Sequence, residues 1–223
     1  MAEQDAKARS HGSKTGRIAV DVALALTATL LMMRAQLPAM LHQVAGLAFG
    51  VLTAVHMWQH RTWLSALVHG RLKGAAQIVS AVGMTAILVI AVALIASGLM
   101  MSTWATALGI ATATGGARAL HLPLSHLLYC VVGMHAGLCM KGVGKLPRPA
   151  LAVWAAAAAL GIRSFISPDF AGYITGATAF AFVDPSKSTI LGFVQYASIF
   201  ALFALAGAAL STALSKKGAH HGR

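Results

Sequence analysis

The chain has 223 residues, of which 58% are hydrophobic and only 10% charged, and its formal net charge is +12 at pH 7. With a mean hydropathy of +0.75, this composition excludes a water-soluble globule and indicates a polytopic membrane protein. The positive charge alone could suggest nucleic-acid binding. That function needs basic and aromatic residues gathered on one soluble face, which the sequence lacks, so we predict no nucleic-acid partner.

Six apolar runs are long enough to cross a hydrocarbon core of about 30 Å. In chain order they cover roughly residues 18–37, 40–59, 78–101, 119–140, 150–166 and 189–214. We therefore predict an all-α polytopic membrane protein with about six transmembrane helices. Residues 18–147 form a four-helix core, and residues 148–214 form a two-helix extension with an outer segment that does not span. Residues 1–17 and 215–223 are basic tails.

The basic residues are distributed unequally between the two sides of such a bundle. They concentrate in the two tails and in the second-to-third and fourth-to-fifth connections, whereas the other side holds only Arg34, Arg118, Arg163 and Lys187. This asymmetry is the positive-inside signal, which predicts that both termini are cytoplasmic. The connection "RTWLSALVHGRLKG" is predicted to lie at the membrane surface, where its charges meet lipid headgroups.

Four histidines repeat in register. His42 and His56 are 14 residues apart, as are His121 and His135, and the two pairs are offset by 79 residues, which predicts a duplicated helical hairpin. Fourteen residues make nearly four helical turns, so both imidazoles of one helix face the same way, about 21 Å apart. Both helices cross in the same direction. His42 is therefore expected level with His121 near the outer face, and His56 level with His135 near the cytoplasmic face.

These four histidines have two interpretations, as metal ligands or as packing residues. Ionisable side chains inside a membrane are costly and are functional by default, although four unrelated hydrogen-bonded histidines are the plainer alternative. Neither helix contains a carboxylate, whereas non-haem iron and most catalytic zinc sites mix histidine with carboxylate or thiolate. Two opposed histidines fit the axial positions of a haem iron. Gly46 and Gly50 would then leave room for the flat macrocycle.

Three segments carry a family resemblance: "LHQVAGLAFGVLTAVHMWQHRTW", "ALHLPLSHLLYCVVGMHAGL" and "GIRSFISPDFAGYITGATAFAFVDPSKSTILGFVQYASIFALFAL". On these segments the chain resembles bacterial integral-membrane di-haem cytochrome b proteins, a family mostly catalogued as a domain of unknown function and related to the cytochrome b subunits of membrane oxidoreductases. The resemblance covers residues 20–207. In the third segment, the family's aromatic stretch and following acidic residue match Tyr173, Phe180, Phe182 and Asp184.

The resemblance implies a four-helix bundle with two b haems in the bacterial inner membrane. His42 and His121 match the ligands of the outer haem iron, and His56 and His135 match those of the inner haem iron. The chain departs from the family where an asparagine usually follows the inner ligand of the second helix by four residues. That position is His60, which raises the possibility of an alternative ligand.

Other polar residues beside these helices have two interpretations each. His60 is expected as a neighbour of a haem propionate or a quinone rather than as a ligand. Arg34 either pairs with the propionates of the outer haem or extends to the interface. Asp21 either forms an ion pair with Arg17 one turn away or takes part in proton transfer. His126 is expected to be a packed histidine, with ligand replacement as its alternative.

Two bis-histidine haems have no open coordination position, so they favour electron transfer over substrate chemistry. The sequence contains no flavin, nucleotide or iron–sulfur motif, so electrons must enter and leave through partners: a membrane quinone or quinol and a redox protein. The expected function is that of a cytochrome b subunit of a quinone-linked oxidoreductase with two haem b groups. The alternatives are a histidine-rich metalloenzyme using His56 and His60, and a non-redox transporter or structural subunit.

Overall fold

The computed structural model describes residues 2–71, 75–110, 114–140, 147–178, 186 and 188–220. The predicted family matches at Phe180, Phe182 and Asp184 lie outside these residues. Within the described part, the secondary structure is entirely helical, which confirms the all-α prediction. The elements are α1 (Ala2–Met32), α2 (Ala39–Gln59), α3 (Arg61–Val68), α4 (Ala75–Met100), α5 (Thr103–Ala107), α6 (Thr114–Cys139), α7 (Arg148–Phe165), α8 (Pro168–Thr175) and α9 (Thr189–His220).

Five helices are long and apolar enough to cross a membrane, and these candidate spans are Lys14–Met32, Ala39–Gln59, Gln77–Met100, Gly115–Cys139 and Thr189–Ser215. The fifth predicted span, residues 150–166, corresponds to α7, which meets α8 at 66°, and the two helices together form one bent candidate span. The first span ends earlier than predicted. α1 stops at Met32, and the Arg34 side chain donates a hydrogen bond to the Leu37 carbonyl (3.0 Å) just before Pro38, a residue that disfavours helix at the preceding position.

The break between α7 and α8 has a local cause in the sequence. Ser167 is extended and its hydroxyl accepts a hydrogen bond from the Phe170 amide, while Pro168 occupies the first helical position. α8 then ends at Gly176, whose φ of 73° lies in the left-handed region that glycine adopts readily. This short helix begins the segment that was predicted not to span, and it packs against α6.

α9 belongs to the centre of the molecule, although the sequence suggested an extension. It packs along both α6 and α7. A methyl group on Gly137 of α6 would collide with the Ala204 carbonyl of α9, and one on Gly207 would collide with the Met134 carbonyl. The two backbones are therefore in direct contact, as small residues allow in membrane helix pairs. α6 is held along one side by α9 and along another by α4.

A buried polar bridge fixes α6 between its two ligand-candidate histidines. The Tyr129 hydroxyl donates to the Tyr196 carbonyl of α9 (2.8 Å) and lies 2.9 Å from the Thr29 hydroxyl of α1. The surrounding apolar core consists of Ala28, Met32, Tyr129, Cys130, Phe170 and Ile199. Because three helices meet at one side chain, α6 has a defined rotation about its axis, and so do its histidines.

α2 is the least enclosed of the spans. It packs mainly on α1 and only lightly on α4, and Ala45 is its one buried residue. After α2, the chain bends at His60 and continues as the short amphipathic helix α3. The Arg61 guanidinium at the start of α3 lies 5.1 Å from the centre of the Trp58 ring at the end of α2. The connection predicted to lie at the membrane surface thus begins as a separate helix that is too short to span.

Candidate ligand site

His42 of α2 and His121 of α6, the outer pair, face each other. Their ring centres are 6.3 Å apart with 70° between the ring planes, although α2 and α6 do not pack along one another. Two imidazoles on opposite sides of one metal ion have ring centres about 6 Å apart, because each metal–nitrogen bond is about 2.0–2.1 Å long. The spacing of the outer pair therefore suits axial ligation of a metal.

The His121 ring is anchored by α4. The Ser97 hydroxyl donates to the Leu94 carbonyl (3.0 Å), so its oxygen is the acceptor for the His121 Nδ1–H at 3.1 Å. This bond assigns the proton to Nδ1 and leaves a lone pair on Nε2, the form that binds metals. Gly98 lets the ring approach, because a Cβ there would lie 3.1 Å from the His121 Cε1 atom. Neither Ser97 nor Gly98 was identified from the sequence.

His42 is held differently, because the Leu31 backbone of α1 is within hydrogen-bonding range of its ring. Its Nδ1 is buried and has no hydrogen-bond partner among the described residues. Arg34 lies within electrostatic range of the ring, and its observed hydrogen bond is the one to the Leu37 carbonyl. Pairing of Arg34 with a haem propionate stays a prediction.

His56 of α2 and His135 of α6, the inner pair, lie toward the opposite ends of the same helices. The His56 Nδ1 is 2.8 Å from the Asp21 carboxylate of α1. A carboxylate only accepts hydrogen bonds, so Nδ1 carries the proton and the His56 Nε2 presents its lone pair. The hydrogen-bond partner of Asp21 is thus His56 on the neighbouring helix, and among the described residues no ion pair joins Asp21 to Arg17.

His135, the second member of the inner pair, has one hydrogen bond, between its Nε2 and the Cys139 sulfur of the same helix (3.7 Å). Its Nδ1 is buried without a partner among the described residues. His135 is within electrostatic range of His56, His60 and Asp21, so these four groups lie at the same end of the bundle. Direct pairing of His56 with His135 stays a prediction.

His60 stacks beside His56, with ring centres 4.6 Å apart and 41° between the planes. Burial lowers the pKa of His60 below its usual 6.5, an effect that His56 and Arg17 reinforce and Asp21 opposes. Its Nε2 is buried without a partner among the described residues. One ligand atom from each of Asp21, His56 and His60 lies within 4.8 Å of the other two, so these residues form a candidate metal site.

The two glycines of α2 face neighbouring helices at ordinary distances. A Cβ on Gly46 would lie 4.0 Å from the Leu31 side chain of α1, and one on Gly50 would lie 3.9 Å from the Ile95 side chain of α4. A side chain at either position would not collide with a neighbouring backbone, whereas one at Gly137 would. Their predicted role as clearance for a macrocycle stays a prediction.

His126 is packed on the side of α6 that faces α8. Its Nδ1–H donates to the Leu122 carbonyl (2.8 Å), and its ring contacts those of Phe170 and Tyr173, with centres 4.9 and 5.0 Å away. These aromatic neighbours pack against the ring, and its Nε2 is buried without a partner among the described residues. The geometry agrees with the prediction of a packed histidine.

Together these features define a polytopic all-α membrane protein with a candidate histidine-based metal site. No protein-family profile, characterised protein or solved structure matches the chain. The resemblance to di-haem cytochromes b therefore rests on the three sequence segments alone.

Proposed function

We propose that this chain transfers electrons across the membrane through two b haems, each held between one histidine of α2 and one of α6. The observation that carries the proposal is the outer pair: His42 and His121 lie 6.3 Å apart, centre to centre, although α2 and α6 do not pack along one another. Two imidazoles at this spacing can bind one metal ion between them.

The chemistry of the four rings fits this group. Each pair combines a ring with its lone pair on Nε2, His121 or His56, and a ring with a buried Nδ1 that has no partner among the described residues, His42 or His135. A buried polar atom without a partner is costly, and reorientation of the His42 and His135 rings toward a metal would relieve that cost. When bound, haem supplies a one-electron iron couple, and two imidazole ligands leave no open position for a substrate.

The electron donor and acceptor in this proposal are a membrane quinol and a redox protein. His60 is the quinol neighbour, because its ring lies beside the inner pair and its buried Nε2 can accept a hydrogen bond from a quinol hydroxyl. The charge asymmetry of the sequence favours a cytoplasmic location for this end, in a bacterial inner membrane.

Haem stoichiometry of the purified protein tests the proposal. Protein from haem-replete cells should show a low-spin b-type spectrum with two haems per chain. His42→Ala and His56→Ala should each reduce this to one haem, and the double variant should bind none. His69→Ala is the matched control, since His69 is exposed on the α3 side and bonds only to Ser65, and it should retain both haems. A colourless preparation would refute the proposal.

A second candidate is a non-haem metal site formed by Asp21, His56 and His60, whose ligand atoms lie within 4.8 Å of one another. The two candidates differ in the role of His60. In the haem protein, His60→Ala should keep both haems and slow only their reduction by quinol, with reduction by dithionite unchanged. In the non-haem protein, His60→Ala should release one equivalent of a divalent metal, measured by elemental analysis.

A further inference from the structure

In each pair, the ring with its lone pair on Nε2 bonds to a chemically different acceptor. In the inner pair, the His56 Nδ1–H donates to the Asp21 carboxylate at 2.8 Å. In the outer pair, the His121 Nδ1–H donates to the Ser97 hydroxyl. This hydroxyl is uncharged and in turn donates a hydrogen bond to the Leu94 carbonyl. The inner ring is therefore bound to an anion and the outer ring to an uncharged group.

The nearby charges also make the inner pair's surroundings more negative than those of the outer pair. Arg34 is within electrostatic range of His42 in the outer pair, whereas the closest charge to the inner pair is the Asp21 carboxylate. Arg17 and Asp21 are both exposed, but Asp21 is in direct contact with the His56 ring, whereas Arg17 acts on the inner end from a distance and is screened more effectively. A carboxylate bonded to a ligating histidine increases the basicity of that ligand and stabilises the ferric state. A nearby cation stabilises the ferrous state.

We propose that Asp21 lowers the reduction potential of the inner haem below that of the outer haem, so that electrons pass from the inner site to the outer site. This inference rests on the proposed function. Each passage would move one electron from a haem held by His56 and His135 to a haem held by His42 and His121, and the haems would supply the one-electron couples for this transfer. Two passages consume one quinol, which releases two protons at the inner end and becomes a quinone. A one-electron redox protein accepts each electron at the outer end.

Redox titration of the intact protein, followed by visible absorbance, tests this proposal. His42→Ala retains only the inner haem and His56→Ala only the outer one, so the single-haem variants identify the two midpoint potentials. The inner midpoint should be the lower of the two. Asp21→Asn should keep two haems per chain and raise the lower midpoint, so that the two titration waves approach each other.

The matched control is Asp169→Asn, the same chemical change in a residue on α8 within electrostatic range of Tyr196. It should leave the lower midpoint unchanged. An inner midpoint equal to or above the outer one would overturn the inference, and so would an Asp21→Asn protein with both haems and an unmoved lower midpoint. If the Asp21→Asn protein does not accumulate, the order of the inner and outer midpoint potentials in the wild-type protein tests the inference by itself. Loss of one haem in Asp21→Asn would show that Asp21 is required for haem binding itself and would overturn the inference that it acts on the potential alone. Wild-type protein without haem would refute the proposed function.

Discussion

Replacement of Ser97 by alanine tests how α4 prepares His121 for ligation. Ser97 is 5% exposed, and its hydroxyl is the acceptor for the His121 Nδ1–H. In Ser97→Ala this N–H loses its acceptor at a site with little access to water. An unbound ring can rotate or move its proton to relieve the loss, whereas a ring bound through Nε2 must keep its proton on Nδ1. The cost therefore falls on the haem-bound state.

The size of the effect follows from the burial of the lost bond. A buried donor without an acceptor costs about 1–3 kcal/mol. At about 1.4 kcal/mol per factor of ten, haem affinity at the outer site should fall roughly 5- to 150-fold. This range agrees with the roughly 10- to 100-fold loss usual when the partner of a metal-bound histidine is removed.

The measurement is a haem titration of the apoprotein in detergent, in a His56→Ala background where only the outer site binds. Thr85→Ala is the matched control. Thr85 lies on the same helix and makes the same kind of bond, to the Ala81 carbonyl, without contacting a histidine. Equal haem affinity in the Ser97→Ala protein and its parent would refute the reasoning that this hydroxyl prepares the ligand.

Two further predictions concern glycines. Gly98→Val should remove the outer haem and keep the inner one, measured as haem per chain, because a Cβ at this position already lies 3.1 Å from the His121 ring; two retained haems would contradict it. Gly137→Ala should destabilise the protein by about 1–3 kcal/mol, since its methyl group meets the Ala204 carbonyl. The thermal midpoint should fall by about 2–4 °C per kcal/mol. Gly83→Ala, with nothing within 4 Å, should not lower it.

The helices themselves were largely predictable from the sequence. Hydrophobic length gave five spans to within a few residues at most ends, because a membrane helix must satisfy its own backbone hydrogen bonds and needs about 20 apolar residues to cross. The position of α9 was not predictable. Its contact with α6 depends on which small residues meet, Gly137 with Ala204 and Gly207 with Met134, and composition does not reveal such pairings.

The candidate site was also predictable only in part. Helical periodicity predicted that His42 would face His121, because 3.6 residues per turn fixes which side chains share a face. The groups that hold the rings come from other helices. Asp21 was interpreted within its own helix and Ser97 was overlooked, although a serine–glycine pair in the otherwise apolar "AVALIASGLM" is a visible signal. Contacts between helices depend on their relative rotation, which no single helix determines.

The weak packing of α2 has a consequence for assembly. α4, α6, α7 and α9 hold one another through extensive contacts, whereas α2 is attached mainly through its hairpin with α1. In the proposed haem protein, each cofactor would join α2 to α6 and act as a cross-link where side chains do not. We expect the α1–α2 hairpin to close last, around haem that enters sideways from the lipid. Cofactor insertion and the final folding step would then be a single event, and haem supply would control how much mature protein accumulates.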